Sequence, residues 1–185
     1  MTASDVTQVL MQVQAGRDGA SERLLTMLYD ELRELAAAKL RREKPGQTLQ
    51  ATALVHEAYL RLTEGQNQDS WDSRHHFFAS AAEAMRRILI DNARRKNALK
   101  RGGDLQQASI DLDQSPASEA DVALLDLDEA LEKLEDHDDQ AASLVKLRYF
   151  TGLTVAQSAE ILGMSQRSTE RLWAYAKAWL YERLH

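Results

Sequence analysis

Apolar residues recur at helical spacing in successive blocks along the chain. Val6, Val9, Leu10 and Val13, following Ser4 as an N-cap, predict a short first helix that Gly16 breaks. Asp18 then caps a longer one. Its Leu24, Leu25, Leu28, Leu32, Leu35 and Leu40 make one continuous stripe, ending before Pro45 and Gly46, which cannot extend it. Leu54, Val55, Ala58, Tyr59 and Leu62 predict the inner face of a third helix ended by Gly65, with Gln50, His56, Glu57 and Arg61 outside. After a polar turn and Trp71, an Ala-rich helix places Phe78, Ala81, Ala82, Met85, Ile88 and Leu89 inside. Its basic residues run on to Lys100, and Gly102 and Gly103 end it.

From Asp104 to Ser118 the chain has neither period nor hydrophobicity, and Pro116 stands near the end, so this stretch reads as a linker. Ser118 with Asp121 resembles a capping box opening an amphipathic helix. Leu124, Leu127, Leu131 and Leu134 mark its apolar side, and Asp and Glu cover the other. The turn at His137, Asp138 and Asp139 precedes a helix carrying Ala141, Leu144, Val145, Leu147 and Phe150. Two more follow, from Thr154 to Leu162 and from Gln166 onward, the latter with Leu172, Trp173, Ala176, Trp179 and Leu180 on its apolar side. The predicted organisation is all-α: an amino-terminal helix at 1–16, a helical bundle at 17–101, a flexible acidic linker at 102–118 and a second small helical domain at 119–185.

Composition agrees with this. Among 185 residues there are only 8 Gly and 2 Pro, too few for the many turns of a β-sandwich or barrel. With no Cys, disulfide frameworks, thiolate metal sites and thiol nucleophiles are excluded, which suits a reducing compartment. The amino terminus lacks a basic leader region and no apolar run approaches the roughly 18 residues of a membrane span. The expectation is a cytoplasmic protein with no membrane association.

Charge changes the picture more than composition does. The net −6 hides a segregation: residues 1–103 carry +3, residues 104–139 carry 1 Lys against 13 Asp and Glu, and residues 140–185 carry +3. Seven positive charges fall between Arg86 and Arg101, against the single Asp91. Two basic blocks therefore flank one acidic segment. Taken alone, that pattern also describes plain solvated surface with a tether.

The most specific constellation is 154–169, TVAQSAEILGMSQRST. In a helix-turn-helix the first helix needs a small residue where the two cross, and the turn needs a residue that tolerates positive φ. Ala159 and Gly163 meet those demands at the right separation. Ser165 then caps a second helix whose amino end carries Gln166, Arg167 and Ser168, with Glu170 and Arg171 one turn on and Lys177 in reach of phosphate. A plain helical hairpin with a capped turn is the alternative. A second constellation joins the basic helix to His75, His76, Phe77, Phe78 and Trp71. Aromatics beside cations are what unpaired nucleic acid requires, although Phe78 and Trp71 read better as core.

Several look-alikes fail. His56 and Glu57 begin like a zinc-hydrolase motif, yet Leu60 stands where the second histidine belongs. His75 and His76 are neighbours that point apart on a helix, so no metal site is expected. There is no Gly-rich phosphate loop, and the acidic pairs have no His or Ser organised around them. The sequence predicts no catalysis, no cofactor and no small-molecule substrate.

In their order these features resemble an extracytoplasmic-function (ECF) type sigma factor of bacterial RNA polymerase, over nearly everything from Leu24 to Leu184. Residues 49–62 (LQATALVHEAYLRL) are similar to the region that docks on the polymerase clamp. Residues 75–95 (HHFFASAAEAMRRILIDNARR) are similar to the region that melts and reads the minus-ten element. Residues 147–153 (LRYFTGL) with the helix-turn-helix are similar to the domain that reads the minus-thirty-five element. The resemblance implies polymerase contacts by Gln50, His56, Glu57 and Arg61. It implies minus-ten contacts by His75, His76, Arg86, Arg87, Asn92, Arg94, Arg95 and Lys96. For the minus-thirty-five element it implies Ser165, Gln166, Arg167, Ser168, Glu170, Arg171 and Lys177. Its implied partners are core RNA polymerase and promoter DNA, and an anti-sigma protein is a further partner such factors can have.

The family also implies that the linker threads the channel that later carries RNA; from its acidity we expect Asp104, Asp111 and Asp113 to occupy a positive groove there until transcript displaces them. Departures stand at Thr169, Glu170 and Leu172, where valine, a basic residue and a polar one are usual, and at Arg87, which replaces a usual asparagine. Glu170 can either accept from cytosine N4 and so alter sequence choice, or simply lower phosphate affinity. Two rival readings are a stand-alone helix-turn-helix regulator that binds an operator as a dimer, and a helical adaptor that binds only protein.

Overall fold

The computed structural model describes residues 8–9, 11–12, 15–20, 22–24, 26–27, 29–30, 33–34, 48–64, 74–100 and 119–185. Within them every regular element is an α-helix. Six are continuous: α1 (Thr48–Glu64), α2 (Arg74–Lys100), α3 (Glu119–His137), α4 (Asp139–Phe150), α5 (Val155–Leu162) and α6 (Gln166–Leu184). Helical residues before position 35 bring Val9, Ala20 and Leu24 into the core. The expected caps at Ser4 and Ser118, the breakers Pro45, Gly65 and Gly102, Trp71 and the linker lie outside the described residues, as do the Gln50 and Leu62 side chains.

α2 organises the molecule. Its 27 residues contain neither Gly nor Pro, so nothing interrupts the hydrogen-bond ladder. Phe78, Ala81, Met85 and Ile88 form the expected buried stripe, while Leu89 is only half-buried; Phe77, not expected inside, is buried too, with Phe77 and Phe78 fully enclosed edge to face at 5.5 Å. α1 packs Leu54, Val55 and Ala58 into the same core and joins α2 through Arg61 and Asp91 at 3.9 Å. A second buried stripe, Ala82, Arg86, Ile90 and Ala93, follows i, i+4, i+8, i+11 on another face of the helix. That breadth of burial is what a helix enclosed on two sides shows, and α2 packs against α3, α4 and α5 as well as α1.

The carboxy-terminal helices extend the same apolar core. α3 contributes Ala130, Leu131 and Leu134; α4 contributes Ala141, Ala142, Leu144, Val145, Leu147 and Phe150. Asp138 separates the two, its carboxylate accepting from the Ala141 amide at 2.9 Å as an N-cap. From α6, Ala176, Trp179 and Leu180 close the group. Cations lie over the rings at the seams: the Arg148 guanidinium sits 4.0 Å from the Trp173 centroid and that of Arg183 3.4 Å from Trp179. Burial pushes the Arg148 pKa down. The buried apolar cluster runs without a break from Val9 to Leu180, so the two helical groups are docked on one another.

Candidate nucleic-acid interface

α5 and α6 make the helix-turn-helix anticipated at 154–169, and each local device is present. Thr154 caps α5: its hydroxyl accepts from the Gln157 amide at 3.2 Å, while the Gln157 side chain accepts from the Thr154 amide at 2.9 Å. Gly163 ends the helix at φ +64°, and the Met164 amide closes back on the Ala159 carbonyl at 2.9 Å. Ser165 opens α6, its hydroxyl accepting from the Ser168 amide at 3.1 Å. Ala159 and Thr169 are buried at the crossing. Thr169 holds its place by donating to the Ser165 carbonyl at 3.1 Å, so a polar residue fills a core position without an orphaned hydroxyl.

Ser165, Gln166, Arg167, Ser168, Glu170, Arg171 and Lys177 are all exposed. The amino end of α6, with its free N–H groups and partial positive charge, therefore faces outward with two arginines beside it. Gln166 donates to Glu170 at 3.0 Å, which aligns a donor and an acceptor along one edge of the helix.

A Cβ on Gly163 would meet nothing within 4 Å, so only the left-handed backbone resists substitution there. Gly163→Ala is accordingly expected to cost about 1–2 kcal/mol, and Gly163→Asn less, because Asn visits that region more readily. Thermal unfolding checks this, the Ala variant melting a few degrees lower than the Asn one.

The α2 residues divide. His75, His76, Arg87 and Arg94 are exposed, and Asn92, Arg95 and Lys96 are half-buried. Phe77 and Phe78 are core residues, so in this conformation they offer no face to a base. Arg86 is buried. Its Nε donates to Asp128 Oδ1 at 2.6 Å, its Nη2 to Glu132 at 3.2 Å and its Nη1 to Glu83 at 3.3 Å. Arg94 reaches the other Asp128 oxygen at 3.4 Å, and Lys96 approaches Asp121 at 4.0 Å. Glu83 also receives Arg87 at 3.0 Å and Lys146 of α4 at 3.5 Å. Burial alone would raise the Glu83 pKa, but Lys146, Arg87 and Arg86 together outweigh it and hold that carboxyl below its ordinary value. Desolvation likewise opposes the Arg86 charge, and Asp128 and Glu83 reverse the sign.

Sequence reasoning assigned all acids of α3 to a solvated face and so missed Asp128, which is 4% exposed. Its partner is 42 residues away, and no local pattern signals such a pair. On α1, His56 and Arg61 are exposed and Arg61 donates to Glu57 at 3.1 Å, making one small polar cluster near α2. Among the described residues no group of three or more His, Asp or Glu is arranged to hold a metal ion, and no helix is long and apolar enough to cross a membrane.

The model of the ECF sigma factor family matches residues 3–185. No curated protein and no solved structure gives a match.

Proposed function

Because the chain belongs to the ECF sigma factor family, whose members are non-enzymatic factors that bind RNA polymerase for transcription initiation, we propose that it reads promoters through two modules. In this reading α6 enters the major groove of the minus-thirty-five element, with Gln166, Arg167, Ser168, Glu170 and Arg171 at base edges and Ser165 and Lys177 at phosphate. The basic face of α2, with His75, His76, Arg86, Arg87, Asn92, Arg94, Arg95 and Lys96, takes the opened minus-ten strand. The outer face of α1, with Gln50, His56, Glu57 and Arg61, meets polymerase.

One observation carries the reading: a turn in the left-handed conformation at Gly163 delivers a Ser-capped helix end on which Gln166, Arg167, Ser168, Glu170 and Arg171 are all exposed. Nothing about that surface serves the core, and its residue types are those that recognise base edges and phosphates. Run-off transcription with purified core polymerase on genomic fragments tests it. Discrete starts are expected only when chain and polymerase are both present. Specific operator binding by a dimer without polymerase would favour the stand-alone regulator instead.

A further inference from the structure

In the closed arrangement three of the cations assigned to the minus-ten strand, Arg86, Arg94 and Lys96, already face carboxylates of the carboxy-terminal helices. Asp128 sits between Arg86 and Arg94, one oxygen to each, the kind of oxyanion pairing that guanidinium groups also make with phosphate. Glu132 adds a second carboxylate on Arg86, and Asp121 lies by Lys96. Two further ion pairs tie α2 to the carboxy-terminal group: Lys146 to Glu83 at 3.5 Å, and Arg74 to Glu160 of α5 at 3.5 Å. The contact is not a loose surface pairing, because the Arg86 and Asp128 side chains are 10% and 5% exposed. A desolvated pair of this kind holds geometry firmly and leaves a costly orphan if one partner is removed.

Geometry forbids this arrangement on a promoter. Elements centred near minus ten and minus thirty-five are about 25 base pairs apart, roughly 85 Å at 3.4 Å per step. A single folded body of this length is only about 40 Å across. Reading both elements at once therefore requires α2 to part from α3 and α4, and the 15 residues from Asp104 to Ser118 can extend to about 50 Å.

We infer that the acidic face of α3 is an internal DNA mimic, an autoinhibitory latch that masks the α2 cations in the free protein and releases them when polymerase draws the two helical groups apart. It rests on the reading of α2 as the minus-ten helix. DNA and Asp128 compete for the same guanidinium groups, so the free chain binds single strands weakly, in proportion to the fraction already open.

The test uses the full chain, which has no Cys of its own, with spin labels on cysteines introduced at the exposed Ala98 and Gln140. The free chain is expected to give a dominant short, narrow distance population with about a tenth at longer distances, the whole lengthening by about 30 Å or more on core polymerase as a ~40 Å body opens toward an ~85 Å span. Asp128→Asn should add a longer population without polymerase. It should also tighten binding to a single-stranded minus-ten oligonucleotide about 10-fold, as expected if the open fraction rises from a tenth to nearly all. Asp126→Asn, which removes the same charge from an exposed position on the same helix, should change neither. Should Asp128→Asn fail to fold, Glu132→Gln with Glu160→Gln gives the same directions at smaller size, since both side chains are over 60% exposed. A free wild-type chain already at long distances, or latch variants indistinguishable from Asp126→Asn, would overturn the latch. Lengthened distances with no strand binding by any variant would instead overturn the minus-ten reading on which it rests.

Discussion

Phe78→Ala is expected to lower the free energy of unfolding by about 3–5 kcal/mol, a third or more of what a domain of this kind commonly has. Phe78 is fully buried, packs edge to face against Phe77 and lies under the Arg74 guanidinium at 5.5 Å. Truncation removes a large apolar side chain from the one helix that both helical groups share, so its cavity cannot be closed by a surface loop relaxing into it. Urea unfolding followed by circular dichroism measures the loss. The same variant separates two roles that the sequence alone leaves together. A ring serving as a stacking platform would, on truncation, weaken single-strand binding and leave stability within about 0.5 kcal/mol of the parent.

The second large effect concerns α6. Arg167 and Arg171 are exposed, and neither contributes to the buried cluster, so Arg167→Ala with Arg171→Ala should leave stability within about 0.5 kcal/mol. Binding behaves differently. Each guanidinium lost from a DNA interface costs about 1–3 kcal/mol, so the double variant in complex with polymerase should lose about 30-fold or more in affinity for a minus-thirty-five promoter. The slope of log affinity against log salt should shrink by about 2, since two fewer cations displace counterions. Lys177→Ala, aimed at phosphate, should weaken all sequences alike and reduce the slope by about 1. Filter binding across a salt series reads both quantities. An unchanged affinity for every upstream sequence would put the recognition surface elsewhere.

The parts of this molecule that were legible in the sequence are those fixed by neighbours along the chain. Gly163 and Ser165 announce the turn because positive φ and an N-cap are each satisfied within three residues. The capping pair of Thr154 and Gln157 is equally local, and its spacing was there to be read. The apolar stripe of α2 from Phe78 to Ile88 is a matter of helical period. What stayed hidden is non-local. Arg86 lies on a stripe with Ala82, Ile90 and Ala93, yet a charged residue amid alanines reads as solvent-facing until its carboxylate is found. Asp128 is one acid among many on α3, and only the docking of α3 on α2 makes it the buried one. The same docking gives Arg86 and Arg94, two members of an apparent row of free arginines, a shared carboxylate partner. For the helix-turn-helix the reverse holds, and the exposed residues of α6 are those that the spacing predicted.

In the function proposed for this chain, α6 and α2 touch promoter DNA at two separated places, and only when the chain is mounted on polymerase. Photo-crosslinking measures this directly, with a benzophenone amino acid at the exposed Gln166 of α6 or His76 of α2. On an open promoter complex the α6 probe is predicted to label duplex near minus thirty-five and the α2 probe the unpaired strand near minus ten, with both signals lost when polymerase is omitted. Labelling of one shared site by both probes, or strong labelling without polymerase, would contradict the account.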